Sequence, residues 1–195
     1  MADELTFDET KHEYKLNGLI IPSVTKIIGE IFPISDFISK ELLEQKADLG
    51  KKVHKTIELN DSGNLDVGTL HPLLRKYLDN WIKFKCDYNF TPMDIELQLS
   101  HPLYKYAGRV DQVGLIDKDL TVLDIKSGAV QKTHSIQTAA YQSLYEINKC
   151  KVKRRMAVYL SPDNYKIEEH KNKNDISVFH ASLTIYNYKK TNNLK

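Results

Sequence analysis

The sequence predicts an α/β sandwich in which helices flank a mixed central sheet. Three observations predict it. Helical signals dominate the first 90 residues, and strand-like alternation then runs from Met93 to Lys126. One helical segment around Gln137 separates that meander from two further strands and a last helix. With 195 residues and an apolar share of 41%, the chain can bury one sizeable core, so a single domain over 1–195 is expected.

The elements follow in order. Tyr14 to Ile21 reads as a hairpin, because Asn17-Gly18 readily takes the positive φ values of a type I′ turn. Ser23 is placed to cap a short helix through Ile31. A second helix is expected after a Ser35 cap, through Leu42, Leu43 and Lys46, and a break near Asp48-Leu49-Gly50 leads into a third bearing His54. After Pro72, the positions Leu74, Tyr77, Leu78, Trp81 and Phe84 give an amphipathic helix. Met93, Ile95, Leu97 and Leu99 alternate with polar residues and open the sheet. Strands near 106–116 and 120–126 follow, then a helix with the stripe Ile136, Ala140 and Leu144. Met156 to Leu160 and Tyr165 to Glu169 read as strands, and Ile176, Phe179, Leu183 and Tyr186 as a final helix capped by Asp175.

Composition excludes several classes. No stretch reaches the roughly 20 apolar residues of a membrane span. The acidic start Met1-Ala2-Asp3-Glu4 is not a secretory signal, so a cytoplasmic protein is expected. Cys86 and Cys150 alone make neither a disulfide framework nor a four-cysteine metal or iron–sulfur site. The net charge of +2 is unevenly spread: residues 149–195 carry +7 and the first 148 carry −5. Lys149, Lys151, Lys153, Arg154 and Arg155 form the densest cluster, readable as a phosphate-attracting patch or as a lysine-guarded edge strand.

Two carboxylates and a lysine carry the chemistry. Asp111 lies in Tyr106-Ala107-Gly108-Arg109-Val110-Asp111, and Asp124-Ile125-Lys126 ends the next strand. Alternation sends Asp124 and Lys126 to one face, a poor core element but a good place to hold a metal and a water beside a phosphate. Gln137 and Tyr141 share a helical face at a spacing of four.

Gly50 to His54, Gly108 to Asp111, Asp124-Ile125-Lys126 and Gln137 to Tyr141 together resemble the ordered motifs of the PD-(D/E)XK nuclease superfamily, in particular its RecB-like exonucleases of phage and mitochondrial genome maintenance type. The resemblance spans a core of about residues 48–146. It implies a restriction-endonuclease-like fold and a metal-dependent DNA exonuclease leaving a 5′-phosphate and a 3′-hydroxyl. It implies Asp111 and Asp124 as ligands of Mg²⁺ or Mn²⁺, joined by the Ile125 carbonyl, with Lys126 acting on the attacking water or the phosphate. His54 becomes a further ligand, and its imidazole favours Mn²⁺. Glu96 reads equally as a metal contact or a solvent-facing strand residue, and Glu58 as a partner for His54 or a plain helix charge. Gln137, Tyr141, Arg109, Lys153, Arg154 and Arg155 are the candidate DNA contacts. DNA is the implied partner, and a single-strand annealing or recombination protein and an oligomer fit by analogy. An endonuclease of the same fold and a non-catalytic DNA-binding module remain alternatives.

Overall fold

Asn17 and Gly18 turn the chain at φ 51° and 80°, the two positive values of a type I′ hairpin. In the computed structural model, which describes residues 4–33 and 39–194, a strand β1 (Leu5–Asp8) pairs antiparallel with β2 (Glu13–Leu16), and the turn joins β2 to β3 (Leu19–Ile21). The first of these strands is too short to announce itself by periodicity. Tyr14, Leu16 and Ile21 pack this small sheet onto Ala107. Ser23 caps α1 (Val24–Ile31) as its position predicts, accepting from the Lys26 amide at 3.1 Å.

The next helix corrects an expectation. α2 (Lys40–Asp61) runs unbroken for 22 residues, so no break occurs at Asp48-Leu49-Gly50. A glycine costs a helix about 1 kcal/mol rather than ending it, and Val53, Thr56 and Ile57 bury the face that follows. The expected Ser35 cap lies outside the described residues; the Ser39 hydroxyl caps α2 at the Leu42 amide. α3 (Pro72–Asp87) starts on its proline and buries Tyr77, Leu78, Trp81 and Phe84.

Five strands follow: β4 (Thr91–Ser100), β5 (Ala107–Ile116), β6 (Asp119–Lys126), β7 (Arg154–Leu160) and β8 (Tyr165–Glu169), side by side in that order. All pairs are antiparallel except β6 with β7. That parallel pair needs a crossover, which α4 (Thr133–Asn148) supplies. α5 (Asp175–Thr191) closes the chain. Asp175 does not cap it: Asp175 is its first residue, buried against Arg155, and the preceding Asn174 makes no side-chain cap bond.

The sheet is buried on both faces. α1, α4 and α5 cover one with Ile27, Leu144 and Phe179, which meet Val110 and Val122. α2 and α3 cover the other with Val53, Ile57, Trp81 and Phe84, which meet Leu123, Ile125 and Val158. Val122 and Leu123 thus split between the faces, and this alternation sends Asp124 and Lys126 toward α4. Among the described residues no helix is long and apolar enough to cross a membrane.

Candidate active site

Backbone pairing of β5 with β6 stops at Gln112–Leu123. One step further in the same register stand Asp111 and Asp124. There a side chain replaces the ladder, as Asp111 Oδ2 accepts from the Ile125 amide at 2.7 Å. On the α4 side, Gln137 bridges three groups. Its Oε1 accepts from Lys126 Nζ at 3.0 Å, and its Nε2 donates to Asp124 Oδ1 at 3.1 Å and to the Tyr141 hydroxyl at 3.0 Å. Lys126 Nζ also lies 2.9 Å from Asp124 Oδ2, an atom buried without a well-aligned hydrogen bond. Gly108 lets Tyr141 come this close. A Cβ there would stand 2.9 Å from Tyr141 Cε1 and 3.1 Å from Leu144 Cδ1, so a side chain at 108 would push the Tyr141 ring from its place.

On the α2 side, His54 Nδ1 is 3.6 Å from Glu96 Oε1 and 3.6 Å from Asp111 Oδ1. Glu96 gets there by an unusual backbone: φ is 49° in mid-strand, and Ile95 pairs with Gln112 and Leu97 with Val110 on either side of it. A non-glycine residue in that region costs of order 1–3 kcal/mol, and such strain concentrates at functional sites. His54, Glu96 and Asp111 each offer a ligand atom, all within 4.8 Å of one another. Ligands at about 2.1 Å from one octahedral ion stand 3.0–4.2 Å apart, and both His54 separations of 3.6 Å fall in that range. Asp124 lies outside that compact trio, held by Gln137 and Lys126.

The electrostatics follow from crowding. Burial raises the Asp111 carboxyl pKa, with His54 opposing and Glu96 adding to the rise. Burial likewise raises Asp124, against the pull of Lys126. For His54, burial disfavours the charge, but Asp111 and Glu96 outweigh it and push the imidazole up to about 9. Burial also keeps the Tyr141 phenol well above 10, so it acts as a neutral hydroxyl. Acidic groups pressed together around one protonated imidazole want a cation.

Other sequence candidates land elsewhere. Glu58 turns to Lys55 at 2.8 Å rather than to His54. Arg109, by contrast, stays in the cleft, where it reaches Glu96 at 3.8 Å. The basic cluster sits at the far end of the sheet. Thr121 pairs with Arg154 and Lys126 with Tyr159, so Arg154 lies five strand residues, about 17 Å, from the level of Lys126. Lys153 pairs with Asp119, and Arg154 with Glu169. Arg155 is a buried brace, its guanidinium on Asp175 and the Ser135 and Asn172 carbonyls. It corrects the reading of that residue as a DNA contact.

Sequence reasoning also missed residues. Phe7, His12 and Lys51 line the cleft with the motif residues. Asp61, seven residues after His54 on α2, accepts from Trp81 Nε1 at 2.9 Å and Gln112 Nε2 at 3.2 Å and pairs with Lys85. It pins α2 to the strand that carries Asp111.

Residues 34–191 match the family model of the PD-(D/E)XK nuclease superfamily. The chain belongs to that superfamily. The five-stranded mixed sheet between helices agrees with its restriction-endonuclease-like fold. No curated protein matches this PD-(D/E)XK chain. Among solved structures, SSO0001 is 20% identical over 56% of each chain, at a TM-score of 0.37. An exonuclease candidate of Eubacterium rectale is 11% identical, with 82% of this chain and 69% of that one covered, at 0.45. An alkaline exonuclease of Laribacter hongkongensis is 11% identical, with 89% and 94% covered, at 0.41. The four PD-(D/E)XK motif pieces meet in one cleft of about 760 Å³.

Proposed function

We propose that this protein is a divalent-metal-dependent deoxyribonuclease, working as an exonuclease that leaves a 5′-phosphate and a 3′-hydroxyl. The carrying observation is that His54, Glu96 and Asp111 share one cleft with the Asp124–Lys126–Gln137 network. A bound Mg²⁺ or Mn²⁺ supplies charge neutralisation on the phosphoryl oxygens and an acidified water. Asp111, Glu96 and His54 would hold the ion, and Asp124 would join them by turning its Oδ2 from the Lys126 ammonium, 2.9 Å away. The Ile125 carbonyl is a further candidate, since a strand residue's carbonyl points to the same side as its amide, here toward Asp111. Imidazole ligation favours Mn²⁺.

Lys126 orients the attacking water or steadies charge on the phosphate. Gln137 fixes the Lys126 ammonium, and Tyr141 fixes Gln137. The motif resemblance to RecB-like exonucleases supports end-directed cutting. A part in phage-type recombination, replication or DNA-end processing, in a cytoplasm and beside a single-strand annealing partner, rests on that resemblance alone.

The test is cleavage of DNA labelled separately at its 5′ and 3′ ends, with Mn²⁺, Mg²⁺ or EDTA. Metal-dependent loss of linear but not circular DNA supports the exonuclease, and the label released first gives its polarity. Cut circles would make it an endonuclease. Bound but uncut DNA under every metal would make it a binding module.

A further inference from the structure

One wall of the cleft comes from the small N-terminal sheet, which pairs with no strand of the large one. A bridge from Ser23 to Ala107, and the Ala107 amide on the Pro22 carbonyl at 2.9 Å, fasten it beside the site. This wall is aromatic and cationic. Phe7 and Tyr14 are cross-strand partners with ring centroids 4.5 Å apart. His12 stands edge-on to Phe7 at 5.1 Å, and the Arg109 guanidinium lies over the Phe7 ring with its carbon 5.0 Å from the centroid.

The wall is coupled to the metal-ligating trio, because Arg109 also reaches Glu96 at 3.8 Å. His12 is exposed and holds φ 53°, a left-handed backbone that is rare for such a residue. Partial burial of its ring, then Lys51 and Arg109, lower its pKa and favour the neutral imidazole. Lys51 lines the same cleft from α2, one helical turn before His54, exposed and with no ion pair among the described residues.

Sequence-independent recognition of a single strand uses these parts: bases stack on aromatic or guanidinium faces while cations follow the phosphates. We propose that Phe7, His12, Arg109 and Lys51 form a nucleotide subsite next to the scissile phosphate, in which a base stacks on the His12–Arg109–Phe7 platform and Lys51 takes a phosphate. The proposal rests on the nuclease reading and specifies its substrate at the site as a single strand.

Fluorescence anisotropy tests it, with Ca²⁺ replacing the catalytic metal and two labelled strands of equal length, oligothymidylate and an abasic backbone. The wild-type protein should bind the base-bearing strand about tenfold more tightly, the effect of one stacked base. His12→Ala and Phe7→Leu should bring that ratio close to one. Lys51→Ala should weaken both strands by a similar factor and lower the salt slope by about one. Equal binding of the two strands by the wild type would overturn the subsite, as would a preference that survives His12→Ala. Because His12 is exposed, that variant decides the matter even if Phe7→Leu fails to fold. Tighter binding of a blunt duplex, insensitive to these substitutions, would also overturn it. Metal-dependent cleavage by the wild type is scored separately, so loss of the nuclease reading and loss of the subsite are distinguishable.

Discussion

The Asp111 carboxylate accepts the Ile125 amide at 2.7 Å and so continues, with a side chain, the strand pairing that the backbone abandons after Gln112–Leu123. One oxygen is structural and the other is turned to His54. Asparagine keeps the first function and loses the charge. Burial raises this carboxyl's pKa despite His54, so in the metal-free fold its charged form is a cost that is present at neutral pH and fades as pH falls. Asp111→Asn should therefore raise the metal-free melting temperature, by about 2–4 °C per kcal/mol released, while abolishing cleavage and the melting increase given by Mn²⁺. Thermal melts with and without Mn²⁺ check this; a lower metal-free melting temperature would show the carboxylate to be stabilising.

His54 gives the pH dependence. Asp111 and Glu96, against burial, raise it from 6.5 to about 9. The protonated form therefore contributes stability that is complete below 6.5 and is lost as pH rises through about 9. A metal must displace that proton. Affinity should rise about tenfold per pH unit over this window with one proton released per ion, and His54→Ala should flatten the profile and raise the Mn²⁺ requirement. Calorimetry in buffers of different ionisation enthalpy counts the proton. Metal binding without proton release would return His54 to a structural role.

Much of this site was legible because two periodicities fix it. Alternation places Asp124 and Lys126 on one face, and a spacing of four places Gln137 and Tyr141 on another, whatever the tertiary context. Glu96 was not decidable, since its place depends on a positive φ that no pattern announces. The Asp61 brace joins residues 20, 24 and 51 positions apart, and local spacing is silent about such contacts. Arg155 was not decidable for a related reason. A string of charges does not say which of them an internal strand turns inward, and β7 turns Arg155 inward.

Gln137 is read as a positioning residue for Lys126, and that has a kinetic signature. Lys126→Ala should cut cleavage by about 10²–10³-fold, the usual effect of removing one charge-stabilising donor, with DNA binding nearly unchanged. Gln137→Ala should cost less, and should cost almost nothing further in the Lys126→Ala background, because groups acting as a unit are not additive. Single-turnover rates for the two singles and the double provide the cycle. Additive losses would mean that Gln137 touches the substrate independently of Lys126.

Arg155 and Lys153 differ by two positions and should behave as different kinds of residue. The Arg155 guanidinium meets Asp175 at 2.7 Å with both side chains under one-tenth exposed, whereas Lys153 meets Asp119 from a side chain 71% exposed. Removing one partner of a buried pair strands the other and costs about 3–5 kcal/mol, while an exposed pair is worth about 0–1 kcal/mol. Arg155→Ala should thus lower the melting temperature by about 6–20 °C, and Lys153→Ala should barely move it. Replacing Arg155 and Asp175 together with apolar residues should recover much of the loss, since the cost lies in the abandoned charge. Neither the sheet register nor the burial places Arg155 against a phosphate. A folded Arg155→Ala variant should accordingly keep the wild-type salt slope for DNA binding; a shallower slope at an unchanged melting temperature would put that guanidinium on the DNA surface and remove it from the core.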